Sequence, residues 1–112
     1  MLIVKRKSRL SKTEILKRKD NFNKIFKQGS IESGFHVSII FFETDSKKVG
    51  FVVSKKVKSG VLKNRYKRIL REIYRLNKSE FPENKYIILL AKGTTTNLSV
   101  LQKEVLKLLS NI

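Results

Sequence analysis

Residues 55–75 have the sequence KKVKSGVLKNRYKRILREIYR, in which nine residues are Lys or Arg and one, Glu72, is acidic. On a helix of 3.6 residues per turn, the polar and apolar side chains of this stretch separate onto two faces. The polar face spans about 140° and contains Lys63, Asn64, Lys67, Arg68, Arg71 and Arg75. The apolar face spans about 120° and contains Leu62, Tyr66, Ile69, Leu70, Ile73 and Leu76. The stretch therefore predicts an amphipathic helix with one face for a core and one for anions.

The residues around this helix define its start and its charge. Ser59 is suited to cap the helix, and Gly60 would allow another backbone to approach closely. Glu72 is spaced to pair with Arg68 and with Arg75. A run of cations is usually just a solvated surface, but the near absence of counter-charge here favours the binding of an anion.

Length and charge limit the class of protein. A chain of 112 residues predicts a single domain, 1–112, in which residues 1–15 form a flexible basic extension to a domain of residues 16–112. The net charge is +17, of which residues 1–29 carry +8 and residues 55–78 carry +9. A polyanion is the expected partner. The sequence has no cysteine, no apolar signal segment and no apolar run long enough to span a membrane, so we expect a cytoplasmic protein.

The first helix is predicted to begin at Asp20 and to stop at Gly29, with Phe22, Ile25 and Phe26 at helical spacing. A competing start is the Ser11 to Glu14 capping box. Phe22 and Phe26 fit either a buried core or a cleft that faces RNA.

Two strands, His36–Phe42 and Val49–Lys56, are predicted to form an antiparallel hairpin through the polar residues 43–47. Alternation divides their side chains between two faces. One face contains Val37, Ile39, Phe41, Val49, Phe51 and Val53; the other contains Ser38, Ile40, Phe42, Val52, Ser54 and Lys56. The second, mixed face suits either a half-wet sheet surface or the binding of a single strand by stacking.

Residues 86–91 form a continuous apolar run that predicts a buried strand. Asn97 is a candidate cap for a last helix with Leu98, Leu101, Val105 and Leu108 on one side. The order is α-β-β-α-β-α, with an extra short strand allowed. This order predicts an α/β (α+β) two-layer sandwich with the helices mainly on one side.

The sequence offers little for catalysis by the protein itself. His36 is the only histidine and has no acidic neighbour in sequence, while Glu43 and Asp45 fall in a predicted turn. We therefore predict no catalytic residue and no protein-bound metal. A nucleic-acid-binding module is favoured over an independent enzyme.

The segment Val53-Ser54-Lys55-Lys56, followed by Lys63-Asn64-Arg65-Tyr66-Lys67-Arg68-Ile69-Leu70-Arg71-Glu72, resembles the signature of the bacterial ribonuclease P protein subunit. That family has the pattern R-N-x-x-K-R-x-x-R-E after a strand ending in V-S-K-K, and the likeness extends over roughly residues 16–110. The chain departs from the family at the connector 58–60, where Gly-Asn-Ala is usual, and at Lys63, where Arg is usual.

The resemblance implies a fold like the second domain of ribosomal protein S5, with a left-handed βαβ connection. It also implies the non-catalytic subunit of an endoribonuclease that removes 5′ leaders from precursor tRNA. The partners would be the catalytic RNA, which performs Mg²⁺-dependent hydrolysis, and the leader strand; no membrane or protein partner is implied. The implied RNA-binding residues are Lys55, Lys56, Lys63, Asn64, Arg65, Lys67, Arg68 and Arg71. The implied leader-binding cleft contains Phe22, Phe26, Ile40, Val52 and Ser54.

Two other functions fit the charge. A ribosomal-type protein would bind RNA in a purely structural role. A DNA-binding or membrane-surface module would use the same helix, although Asn64 is a hydrogen-bonding residue that membrane electrostatics does not need.

Overall fold

The computed structural model describes residues 15–16 and 22–112. Within them, four strands form one sheet and three α-helices pack against it. The elements are α1 (Phe22–Gln28), β1 (Ser30–Ser33), β2 (Val37–Glu43), β3 (Lys48–Val53), α2 (Gly60–Leu76), β4 (Lys85–Ala91) and α3 (Leu98–Leu109), with a short 3-10 helix at Lys78–Glu80. The α+β class and the predicted order are confirmed, and β1 is the extra short strand.

The strand order is β1-β2-β4-β3, so the predicted hairpin of β2 with β3 is wrong. β4 lies between them, antiparallel to β2 and parallel to β3. The chain does reverse through residues 44–47, which is why β2 and β3 run in opposite directions. They are separated by the most apolar strand because a strand that is buried on both faces is most stable at the centre of a sheet.

The parallel strands β3 and β4 are connected through α2, as parallel pairs require. The family resemblance implies that this connection is left-handed, which stays a prediction. The connection places the basic helix directly after β3.

The main core lies between one face of the sheet and the helices α2 and α3. Val37, Ile39 and Val49 are buried there, and Phe41, Phe51 and Val53 pack against the same cluster. The predicted division of strand side chains is therefore confirmed for this face. Asn97 caps α3, because its side-chain oxygen accepts the N–H of Val100 at 3.1 Å. Buried residues of α3 include the predicted Leu101, Val105 and Leu108.

The opposite face is covered in part by α1. Ile25 of α1 packs with Leu16, Ile40 and Ile88 in a second, smaller cluster. The N–H of Gly29 donates to the carbonyl of Ile25 at 2.8 Å, which confirms the predicted end of the helix. A side chain at Gly29 would lie 2.5 Å from that carbonyl oxygen, so the tight passage from α1 to β1 needs glycine.

Most of the predictions for the N-terminal part of the chain concern residues that the structure does not describe. Asp20, Ser11 and Glu14 lie outside the described residues, as do residues 1–14 of the predicted extension. Ile15 forms a parallel bridge with Val49, and the N–H of Leu16 donates to the Val49 carbonyl at 2.9 Å.

Candidate nucleic-acid interface

The helix α2 is fixed to the fold by its cap and by its middle turns. The Ser59 hydroxyl accepts the N–H of Leu62 at 3.2 Å, which confirms the predicted cap. Tyr66, Leu70 and Ile73 are buried against the sheet, as predicted. No atom lies within 4 Å of a side chain built at Gly60, so the prediction of a close backbone approach there is wrong.

The ends of the predicted apolar face are not buried. Leu62 is 40% exposed and Leu76 is 53% exposed, because they occupy the first and last turns of α2 and the sheet contacts only the turns between. Tyr74, absent from the predicted face, is fully buried instead. Its ring packs edge-on against Phe81, with centroids 4.9 Å apart, and lies near Phe51.

The side chains that the sequence assigned to RNA lie on α2 and on the turn before it, and each is at least partly exposed. We call this set the basic surface; it comprises Lys55, Lys56, Lys63, Asn64, Arg65, Lys67, Arg68 and Arg71. All are exposed except Lys63, which is partly covered. Among the residues that the structure describes, none of the cations of this surface has a carboxylate within 4 Å. Their charge is therefore available to an anion.

Three carboxylates in the described residues pair with cations outside the basic surface. Of the two predicted partners of Glu72, the structure pairs it with Arg75, whose Nε donates to Glu72 Oε1 at 2.9 Å. The hydrogen bonds from Arg75 lower the pKa of Glu72 from its usual value. Lys47 and Lys85 pair with acidic residues near the turn between β2 and β3. That end of the sheet is therefore close to neutral.

Arg71, a member of the basic surface, also has a structural contact with the sheet. Its guanidinium carbon lies 5.7 Å from the centre of the Phe51 ring. This cation–π contact joins α2 to β3 and holds the guanidinium at the border of the core.

The turn after β3 presents Lys55 and Lys56. β3 ends at Val53, so the predicted extension of the strand to Lys56 is wrong. Ser54 explains the early end: its hydroxyl accepts the N–H of Lys56 at 3.2 Å, and its carbonyl accepts the N–H of Val57 at 3.1 Å. These bonds turn the chain away from the sheet and leave both lysines exposed.

The residues assigned to the leader-binding cleft lie around the sheet face beneath α1, but they are unequally accessible. Phe26 is 41% exposed, and Val52 and Ser54 are partly buried. Ile40 is only 2% exposed because α1 covers it, so it supports the surface without forming it. The side chain of Phe22 lies outside the described part of the chain. The assignment of these residues to a leader stays a prediction.

The described residues offer little for metal binding or acid–base chemistry. Within residues 15–16 and 22–112, no three His, Asp or Glu side chains lie close enough together to hold a metal ion. The ring of His36 hydrogen-bonds to the Thr94 hydroxyl. Among the same residues, no helix is both long and apolar enough to cross a membrane.

Comparison with known proteins identifies the family. A family model described as Ribonuclease P matches residues 10–112. The chain belongs to this family. A ribonuclease P protein component from Pelotomaculum thermopropionicum is 34% identical over 86% of this chain and 89% of the relative. Another from Syntrophus aciditrophicus is 33% identical over 83% of this chain and 80% of the relative.

Solved structures of ribonuclease P proteins have the same fold. The protein from Thermotoga maritima superposes with a TM-score of 0.77 at 26% identity, over 88% of this chain and 97% of the other. The Staphylococcus aureus protein gives a TM-score of 0.74 at 25% identity, over 88% and 94% of the two chains. The family resemblance inferred from residues 53–72 is thus confirmed.

Two aromatic–cation pairs on the α1 side of the sheet were missed by the sequence analysis. Lys24 Nζ lies 5.8 Å from the centre of the Phe42 ring, and Lys48 Nζ lies 5.9 Å from that of Tyr86. Phe42 and Tyr86 are directly opposed in the pairing of β2 with β4. The sequence could have indicated that the two rings face α1, because each lies two residues along its strand from a side chain of the smaller cluster. It could not have indicated that the two strands pair and bring the rings together.

Proposed function

We propose that this chain is the RNA-binding protein subunit of ribonuclease P, acting in the removal of 5′ leaders from precursor tRNA in the cytoplasm. The observation that carries the proposal is the basic surface, a set of exposed cations without acidic partners in the described residues. Family membership supports the tRNA-processing role.

The basic surface would act by neutralising phosphates. Folded RNA brings backbone phosphates close together, and their repulsion must be offset by Mg²⁺ or by protein cations. Lysine and arginine side chains on one side of a packed helix can offset it, and the planar guanidinium of arginine loses less side-chain entropy for each hydrogen bond that it forms. The protein would thereby lower the Mg²⁺ concentration that the RNA needs to fold and react.

The chemistry is assigned to the RNA subunit, with Mg²⁺ held by that RNA. A surface as cationic as this one repels divalent metal ions and attracts phosphate, which suits a positioning role. The protein would contribute by binding the catalytic RNA and the leader, and no catalytic residue is assigned to it.

The leader is assigned to the sheet face beside α1. Phe26 with Val52 and Ser54 would contact the leader directly, while Ile40 and the first residue of α1, Phe22, belong to the same region. Half-exposed rings and small polar groups bind a single strand by stacking and backbone contacts without reading its sequence.

Cleavage of a precursor tRNA by a bacterial ribonuclease P RNA at limiting Mg²⁺ tests the proposal. We expect this protein to raise the rate, and the Lys67→Ala/Arg68→Ala variant to raise it less. The Lys103→Ala/Lys107→Ala variant, which removes the same charge from exposed positions of α3, is the matched control. If the protein does not stimulate cleavage, a structural ribosomal-type protein is favoured. Cleavage by the protein without the RNA would contradict the assignment of the chemistry to the RNA subunit. Tighter binding to duplex DNA than to folded RNA would favour a DNA-binding module.

The leader assignment has a separate test. Phe26→Ala should reduce the affinity for precursors with a long leader more than for leaderless tRNA, because only the former reaches the sheet face. Val100→Ala, which trims a side chain of similar exposure on α3, is the control. Equal losses for both substrates would remove Phe26 from the leader site.

A further inference from the structure

The turn between β1 and β2 displays an aromatic side chain that the proposed function does not use. Phe35 is 85% exposed, more than any other large apolar side chain in the described residues. Tips of turns are ordinarily polar, and an exposed phenylalanine there gains nothing from burial. The ring is therefore accessible to a partner.

The turn is held in one conformation by hydrogen bonds. The carboxylate of Glu104, on α3, accepts the backbone N–H groups of His36 at 2.6 Å and Val37 at 2.7 Å. The N–H of Gly34 donates to the Val37 carbonyl at 2.9 Å. A side chain at Gly34 would lie 2.5 Å from the Glu104 carboxylate, so the turn is also closely packed. Phe35 therefore lies on a turn whose backbone is held in one conformation.

The turn lies in line with the basic surface across the end of the sheet. The N–H of Ser54 donates to the Ala91 carbonyl at 2.9 Å, and the N–H of Lys92 donates to the His36 carbonyl at 3.0 Å. The ends of β3, β4 and β2 are therefore adjacent, each about 4.8 Å from the next. Lys55 follows the end of β3, and Phe35 precedes the start of β2. A strand of RNA that crosses this end of the sheet would therefore meet both residues.

An ammonium group lies beside the turn. Lys92 Nζ donates to the Ser33 hydroxyl at 3.1 Å and to the Gly34 carbonyl, which places an ammonium group next to the turn. Of the nearby acids, Glu104 is occupied by two N–H groups and Glu32 is partly buried on β1. Lys92 thus offsets part of the negative charge of these two carboxylates beside Phe35.

From these observations we infer that Phe35 is a stacking site for an unpaired nucleobase of an RNA that also contacts the basic surface. The inference rests on the RNA-binding part of the proposed function and extends the binding surface to the opposite edge of the sheet end. The ring of His36 has its centroid 5.7 Å from that of Phe35, with the planes 32° apart, and enlarges the platform. One ring matches one base, whereas a stable protein partner needs about 1,200 Å² of contact or more. A base within a duplex is already stacked on its neighbours, so the site is selective for single-stranded RNA.

Binding of oligonucleotides to the full chain tests the inference. The probes are a single-stranded oligoadenylate and an abasic oligonucleotide of the same length and charge. Phe35→Ala should weaken oligoadenylate binding by about 5- to 140-fold and leave abasic binding unchanged. Phe35→Trp should restore the affinity, and Val100→Ala is the control for loss of an exposed apolar side chain. Thermal unfolding of each variant checks that the turn is intact.

The chain contains no tryptophan, so Phe35→Trp also provides a unique fluorescent reporter. Oligoadenylate should quench its emission, and the abasic probe should not. Unchanged emission at saturating oligoadenylate would overturn the inference, as would wild-type affinity of Phe35→Ala. A dimer that Phe35→Ala converts to a monomer in sedimentation would also overturn it, by assigning Phe35 to a second copy. If the protein fails to stimulate ribonuclease P RNA yet the indole emission of the Phe35→Trp variant responds to oligoadenylate, the proposed function fails and the stacking site stands.

Discussion

Removing two neighbouring cations from α2 gives the sharpest test of how the basic surface works. Lys67 and Arg68 are both exposed, and neither has an acidic partner in the described part of the chain. Replacing them by Ala costs the helix nothing in propensity. Arg71 is left in place because its contact with Phe51 would mix a change of stability with a change of charge.

The size of the effect follows from counterion release. Each phosphate neutralised contributes about 0.7 to 0.9 to the slope of log affinity against log salt, so losing two contacts lowers the slope by about 1.4 to 1.8. Between about 50 and 200 mM salt, the affinity gap between wild type and variant should therefore shrink by about 7- to 12-fold. The weakening is largest at low salt.

Fluorescence anisotropy with a labelled bacterial ribonuclease P RNA, at fixed Mg²⁺ and several monovalent salt concentrations, measures this slope. The Lys103→Ala/Lys107→Ala variant has the same net charge and serves as control. Its slope should stay close to that of the wild type if those lysines do not contact RNA. Equal slopes for wild type and Lys67→Ala/Arg68→Ala would refute the idea that these side chains bind phosphate.

Three further predictions concern the framework of the site. Glu104→Ala should lower the free energy of unfolding by about 2 to 4 kcal/mol in denaturant titrations, because two backbone N–H groups lose a charged acceptor; Glu104→Gln, which keeps an acceptor oxygen, should lose much less. Gly29→Ala should cost about 1 to 3 kcal/mol because backbone oxygens crowd the added carbon. Gly60→Ala should be neutral or stabilising. A higher melting temperature for Gly29→Ala than for Gly60→Ala would contradict this. The lowered pKa of Glu72 means that its pair contributes stability at neutral pH that is lost as pH falls through that pKa. Glu72→Gln should therefore be less stable than wild type at pH 7 and equally stable in acid; a difference independent of pH would contradict the pairing.

The elements that the sequence predicted well are those specified by local chemistry. Ser59 and Asn97 cap their helices where their side chains were expected to do so. Alternation along β2 and β3 assigned the core face correctly, because successive strand residues point to opposite sides whatever the partner. Each of these features depends on residues within a few positions of one another.

The features that the sequence did not predict depend on pairing between distant segments. The polar turn after β2 is compatible with a hairpin in which β2 pairs with β3, and equally with a chain reversal that leaves room for β4 between them. The choice depends on which strand occupies the centre of the sheet. Tyr74 is buried because Phe51 and Phe81 surround it, and neither contact is visible in helical periodicity.

The candidate site also contains features that the local sequence predicts and features that depend on contacts between distant segments. The cations of α2 were predicted from one contiguous pattern, and all of them lie on the surface. The accessibility of Ile40 could not be predicted, since it depends on where α1 packs. Phe35 was missed because its exposure follows from the anchoring of the turn by Glu104, which is distant in sequence.

The two sides of α2 depend on each other. Like charges on one helix side repel, and an isolated helix with this sequence would be destabilised by its own cations. Burial of Tyr66, Leu70 and Ile73 against the sheet offsets that repulsion, since each fully buried large apolar side chain contributes about 1.5 to 3 kcal/mol. The apolar face thus allows the basic surface to remain without acidic partners among the described residues of the free protein. RNA phosphates that bind there remove the repulsion, so binding also stabilises the fold.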